Sequence, residues 1–257
     1  MPRVPRACWR VAGFVLVAGA AIPWFTACGR PTSQGPQAVR VFAASSLTAP
    51  FAALARAFEG STAGCRVELH FAGSPQLVVQ LREGAAADVF AAADSATMQR
   101  VVAVGNVDGA PLVFARNRLA IVVGRGNARG IRGLSDLARP DVAVALGAPE
   151  VPVGHYARQA LAKAGVAVRS VSDEANVKAL VAKVQLGELD AAIVYATDVR
   201  GPDVEAVAID PAHDVVAEYW IARLHGAERA PAAAAFVAFV RSESGRAILQ
   251  QHGFLLP

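Results

Sequence analysis

The stretch VRVFAASSLT, residues 39–48, reads as a first strand and a candidate binding site. β-Branched and apolar residues run to Ala44, two serines follow, and apolar positions at Leu47, Phe51, Leu54 and Phe58 then recur with helical spacing. A strand that turns sharply into a helix leaves the first backbone N–H groups of that helix without internal partners, at the positive end of the peptide dipole. Such an end holds anions, and a serine there adds a hydroxyl donor. Taken singly, a serine before a helix is only its cap, so the reading depends on recurrence.

The unit does recur. Residues 66–71, RVELHF, alternate as a strand, pass through Ala72-Gly73-Ser74-Pro75, and enter a helical pattern at Leu77, Val78 and Leu81. Here Ser74 reads as the cap and Pro75 as the first helical residue, with Gly73 permitting the turn. A third strand over 88–93 is followed by Asp94, which reads as a helix cap and not as an anion ligand, because a carboxylate repels an anion. Strand–helix alternation predicts an α/β fold, parallel strands with helices on both faces. Ligands of such sheets bind beyond the carboxyl ends of the strands, where Ser46 and Ser74 both fall.

Near Arg116-Asn117 the short units give way to a longer strand, 119–123, and the loop GRGNARG, residues 124–130, which reads as the crossing into a second lobe. Its arginines either hold an anion or are solvated, and a charged glycine-rich surface loop favours the second. A strand over 142–146 leads through GAPEVPVG, residues 147–154, to a helix expected from about His155. After a strand at 168–171, Ser172-Asp173-Glu174 reads as the start of a helix to Leu186 with Val177 in its first turn. AAIVY, residues 191–195, is a buried strand ending in Tyr195, whose hydroxyl can donate. Residues 204–209 and 215–222 are strand-like and read as the return to the first lobe; helices from Pro231 and over 243–252 close the chain. There is no repeat of fixed period, yet two serine turns in one lobe and two loop–helix starts in the other point to facing surfaces.

With 257 residues, 54% hydrophobic and 18% charged, the chain is globular, large enough for one big domain or two lobes. Its formal charge is +4, but Arg3, Arg6 and Arg10 lie in a leader without acidic residues. The nearly neutral remainder has no clustered Lys/Arg run, which argues against a nucleic-acid partner. Residues 1–28 read as a secretory signal: arginines, an apolar run broken by Pro23, then small residues, too short for a membrane span. The leader ends in Phe25-Thr26-Ala27-Cys28, which resembles a bacterial lipobox with Cys28 as the lipidated residue. Phe25 departs from the usual aliphatic there, so ordinary cleavage nearby is the alternative. Residues 29–38, GRPTSQGPQA, read as a flexible tether. Cys65 is then a lone structural cysteine, and no CxxC or HExxH spacing offers a metal site.

In order, VFAASSLT, FAGSPQL, APEVPVGHYA, NVKALV and AAIVYATD resemble the periplasmic molybdate-binding proteins of ABC transporters, over residues 39–257. The resemblance implies a two-lobed periplasmic-binding-protein fold, each lobe a mixed, mostly parallel sheet flanked by helices, closing over one tetrahedral oxyanion. Lobe 1 would comprise residues 39–116 with 219–257, and lobe 2 residues 117–218. The implied donors are the hydroxyls of Ser46, Ser74 and Tyr195 and the backbone N–H groups of Val153 and Val177. Molybdenum would enter only within the oxyanion, molybdate or tungstate; no cofactor and no catalysis are implied. The implied partners are an ABC permease and, through Cys28, a membrane surface, for an exported monomer. Two departures stand out: Val153 where the family often has alanine, immaterial if only its backbone binds, and Gly73 where it often has serine, which removes a supporting hydroxyl.

The chemistry of the residues agrees. Molybdate, tungstate and sulfate carry two charges and no proton at neutral pH, so they need donors only; phosphate brings a proton and rewards a carboxylate acceptor. Three alternatives remain: a binder of sulfate or thiosulfate, selected by cavity size; an oxyanion-sensing lipoprotein; and an exported hydrolase using Ser46 or Ser74 with His70 or His155. Against the hydrolase stands the absence of a GxSxG elbow and of a triad order.

Overall fold

The computed structural model describes residues 37–257; the expected leader, the Cys28 lipid site and the tether up to residue 36 lie outside them. Strand β1 (Gln37–Ala44) begins two residues before the expected Val39 and runs into a 3-10 turn, Ser45–Leu47, and α1 (Thr48–Ser61). Next come β2 (Cys65–Ala72), α2 (Ser74–Arg82), β3 (Val89–Ala92) and α3 (Ser95–Val102), capped as expected by the Asp94 carboxylate, which accepts from Thr97 N–H. Strand β4 (Val107–Asn117) follows. The sequence reading missed it because Gly109 and Pro111 interrupt any alternation. Proline is tolerated here because β4 is an edge strand.

The second half contains β5 (Leu119–Gly124), β6 (Val144–Gly147), α4 (Pro152–Ala164), β7 (Ser170–Glu174), α5 (Val177–Gln185), β8 (Ala191–Tyr195) and β9 (Val204–Ala208). The chain ends with β10 (Ala217–Leu224), α6 (Ala230–Arg241) and α7 (Glu243–Gln251). Three expectations are corrected. Ser172-Asp173-Glu174 belongs to β7, where Asp173 and Glu174 pair with Leu146 and Gly147 of β6, and the helix starts after Asn176, whose side chain accepts from Ala179 N–H at 3.0 Å. Helix α4 starts at Pro152, earlier than His155, since proline is well placed in a first turn. And β9 does not return to the first sheet but pairs with β5; only β10 returns.

The strands form two five-stranded sheets, β2-β1-β3-β10-β4 and β7-β6-β8-β5-β9. In each, the first three strands are parallel and the fourth is antiparallel to both neighbours. Four strands of each sheet therefore share one direction, and both sheets are mixed α/β layers of one topology. The antiparallel strand of each, β5 or β10, is the one that has just crossed from the other sheet. The two halves thus repeat in space without repeating in sequence: the β1, β2 and β3 ends correspond to those of β6, β7 and β8.

Helices α1 and α6 cover one face of the first sheet through edge-to-face contacts of Phe51 with Phe114 and Phe58 with Phe236, all four rings buried. Burying each ring contributes about 1.5–3 kcal/mol. Leu77, Val78, Met98 and Val101 of α2 and α3 bury the opposite face. The two crossings are tied to each other: Arg118, between β4 and β5, pairs its Nη1 with Asp214 Oδ2 at 2.7 Å, just before β10.

Candidate functional site

The carboxyl ends of β1, β2, β6, β7 and β8 meet at one cavity, and all five residues singled out in the sequence line it: Ser46, Ser74, Val153, Val177 and Tyr195. The cavity is small, about 10 Å³, which leaves no room for a sugar or peptide. No Asp, Glu, Lys, Arg or His lines it. Its polarity comes from hydroxyls and from the starts of α2, α4 and α5.

Each donor is positioned by its own element. Ser46 sits in the 3-10 turn after β1, and its Oγ accepts the Tyr219 hydroxyl proton at 3.1 Å. Ser74 is the first residue of α2 and not its cap; Gly73 occupies the cap position, and Gln76 Oε1 reaches back to accept Gly73 N–H at 3.1 Å. Ser74 Oγ accepts from Ala93 N–H at 3.3 Å. Both serine oxygens therefore receive a proton from within the fold, which leaves each hydroxyl proton free to be donated elsewhere. Val177 is the first residue of α5 and Val153 lies in the first turn of α4, so the N–H of each lacks a helical partner.

Close backbone approach brings α4 to the end of β6. A Cβ on Gly147 would stand 2.8 Å from Gly154 N, and one on Gly154 would overlap the carbonyl oxygens of Gly147 and Ala148. Arg158 reinforces the approach, donating from Nη1 to Gly147 O at 2.6 Å and to Gly154 O at 3.1 Å while Nη2 pairs with Asp173.

Tyr195, at the end of β8, also lines the cavity. It is 1% exposed, and its hydroxyl has no hydrogen-bond partner among the described residues. A buried polar group left in that condition costs about 1–3 kcal/mol, so an unpartnered hydroxyl facing a cavity signals a ligand atom. Burial, then the neighbouring Tyr219, pushes its ionisation well above the usual value, so it remains a donor. Tyr219 is also pushed up, by burial first and the Asp198 charge second. Asp198, three residues beyond Tyr195, is itself buried and pushed up by burial, with Lys178 Nζ opposing the shift from 2.6 Å.

The candidates for hydrolysis do not assemble. His70 Nε2 bonds Gln80 and His155 Nε2 bonds Gln159, while the serine oxygens are engaged by Tyr219 and Ala93. In the GRGNARG loop Arg129 pairs with Asp190 and Asp141, and none of its arginines lines the cavity. No cluster of His, Cys, Asp and Glu able to hold a metal ion occurs among the described residues. Sequence reasoning misses Tyr219, which acts from a distant position, Arg158, whose contacts with Gly147 and Gly154 depend on how α4 packs on β6, and Asn176, recognisable as the asparagine before an apolar helical run.

Residues 39–255 match the model of a family described as bacterial extracellular solute-binding protein. The molybdate-binding protein ModA of Mycobacterium tuberculosis (strain ATCC 25618 / H37Rv) is 38% identical over 252 residues, covering 94% of this chain and 97% of that protein. The periplasmic molybdate-binding protein of Azotobacter vinelandii superposes with a TM-score of 0.73 at 18% identity, covering 85% of this chain and 99% of that one. The sulfate-binding protein SubI of M. tuberculosis H37Rv superposes with a TM-score of 0.77 at 20% identity, over 85% and 86%. These two superpositions speak to the fold.

Proposed function

The chain belongs to the bacterial extracellular solute-binding proteins, and from that premise we propose that it captures molybdate, and tungstate of nearly equal size, for delivery to an ABC transporter permease. One observation carries the reading. Two serine hydroxyls with their acceptor roles filled internally, an unpartnered Tyr195 hydroxyl and the N–H groups of Val153 and Val177 converge on a cavity lined by no charged side chain. That set is all donor. It suits a tetrahedral oxyanion that carries no proton, and it offers phosphate no carboxylate to accept one.

Binding is closure. The anion bridges the turns after β1 and β2 on one lobe and those after β6, β7 and β8 on the other, and its contacts with both favour the closed arrangement. We take lobe 1 as residues 39–116 with 219–257 and lobe 2 as 117–218. Five charge-assisted hydrogen bonds at about 1.5–3 kcal/mol each support submicromolar affinity after the costs of closure. No bond is made or broken in the solute, no cofactor takes part, and molybdenum is held only through its oxygens. The protein is exported, works as a monomer, and is held at the membrane by a lipid on Cys28. The test is thermal: the full chain, purified after export, gains melting temperature with molybdate and tungstate and little with phosphate, and no gain with any oxyanion overturns the reading.

A further inference from the structure

We infer that Gly73 sets how far the two lobes close and, through that, which oxyanion the cleft prefers; the inference rests on the oxyanion reading above. The backbone does not need glycine there. Gly73 has φ −60° and ψ 139°, extended values that any residue adopts, and its place as the cap of α2 is one that serine or asparagine fills better. What excludes a side chain lies across the cleft. A Cβ on Gly73 would come under 3.0 Å from the carbonyl oxygen of Ala175, a backbone atom between β7 and α5 on the other sheet. The next nearest atom, Gln76 Oε1 at 3.3 Å, ends a flexible side chain and can move.

Ala175 cannot move as easily. Before it, the Glu174 carbonyl accepts from Ala148 N–H at 2.9 Å, tying β7 to the turn after β6; after it, Asn176 caps α5. Displacing that carbonyl would carry Val177 N–H with it. A side chain at position 73 is therefore accommodated by holding the lobes apart, and the gap opens beside Ser74 on one wall and Val177 on the other. Donors on opposite walls then separate around the anion. Sulfate, smaller than molybdate, bridges a widened cleft less well. Gly73 thus has a steric use of its own.

The test is Gly73→Ala beside Gly60→Ala, a control in α1 where a Cβ meets nothing within 4 Å. Both are made in the full chain purified after export and titrated calorimetrically with sodium molybdate and sodium sulfate. Their compaction is followed by solution X-ray scattering. G73A is expected to keep or raise the ligand-free melting temperature, because alanine in an allowed conformation restricts only the unfolded chain. Its molybdate affinity should fall at least about tenfold, the equivalent of one strong hydrogen bond, with sulfate affinity falling further and ligand-induced compaction reduced. G60A should bind and compact as wild type does. Wild-type binding with unchanged affinities in G73A overturns the inference alone, as does a lower ligand-free melting temperature in G73A, which would place the clash within one lobe. A wild type that binds no oxyanion overturns the functional reading and this inference together.

Discussion

Tyr219 donates its hydroxyl proton to Ser46 Oγ at 3.1 Å, joining β10 to the turn after β1 across 173 positions of sequence. The bond fills an acceptor role of Ser46 and leaves its own proton free in a residue that lines the cavity, which is what the proposed anion site requires. Chains of this kind polarise each other in a buried setting. Ser74 is prepared by the same logic through Ala93 N–H.

Ser46→Ala and Ser74→Ala should each weaken molybdate binding by about 1–3 kcal/mol, since each removes a donor to a buried charge. Tyr219→Phe should cost less, about 0.5–1.5 kcal/mol, because it withdraws support and not a contact. Calorimetric titration ranks the three, and a Tyr219→Phe loss equal to that of Ser46→Ala would mean that Tyr219 does more than orient the serine.

Tyr195→Phe separates binding from stability. The hydroxyl has no partner within the described fold, so removing it should leave the ligand-free melting temperature unchanged or raised while affinity drops by about 1.5–3 kcal/mol. A matched fall in both would show that the hydroxyl is bonded within the protein.

Much of this arrangement was legible in the sequence because it is local. Strand, small residues and helix start follow one another within ten positions, so Ser46, Ser74 and Tyr195 could be placed at strand ends from periodicity alone. Two kinds of information were not local. The Tyr219–Ser46 bond depends on which strands become neighbours, and the Arg158 brace on Gly147, only 11 residues away, depends on how α4 packs back on β6; no spacing encodes either. Strand β4 was hidden by Gly109 and Pro111, which an edge strand tolerates, and Ser172-Asp173-Glu174 looked like a helix start because β7 carries polar residues on both faces, Asp173 exposed and Ser172 and Glu174 half-buried and hydrogen-bonded to each other. The meaning of Gly73 was invisible for the same reason: what it avoids, the Ala175 carbonyl, is 102 residues away in sequence and on the other lobe.

Molybdate affinity should be flat from about pH 6 to pH 9, where no side chain lining the cavity titrates. On the alkaline side, stability should fall as the buried tyrosines ionise. Burial raises Tyr156 to about 12, and Tyr195 and Tyr219 also titrate above their unfolded value near 10. A folded pKa above the unfolded one contributes stability that is full below pH 10 and is lost as pH climbs through about 12. Affinity that changes across neutral pH would point to an ionising group at the anion.

Lys178→Met should destabilise the protein by about 1–3 kcal/mol at pH 7, less than for a fully buried pair because Lys178 is half exposed. Burial already holds the Asp198 pKa above 3.8, against the opposing pull of Lys178, and loss of the lysine raises it further. With the folded value above the unfolded one, the buried carboxylate costs stability at neutral pH, and the cost disappears as acid protonates it. Urea denaturation at pH 7 and pH 5 should therefore show a smaller loss at pH 5; equal losses would contradict the assigned role of the pair.

The central claim, that a donor-only cavity selects an unprotonated oxyanion, is tested most directly by isothermal titration of the full chain, purified after export, with molybdate, tungstate, sulfate and phosphate at one pH and ionic strength. Submicromolar binding of molybdate and tungstate, weaker sulfate and negligible phosphate is the predicted result. Tight sulfate binding with no molybdate response, or phosphate binding as tightly as molybdate, would contradict it.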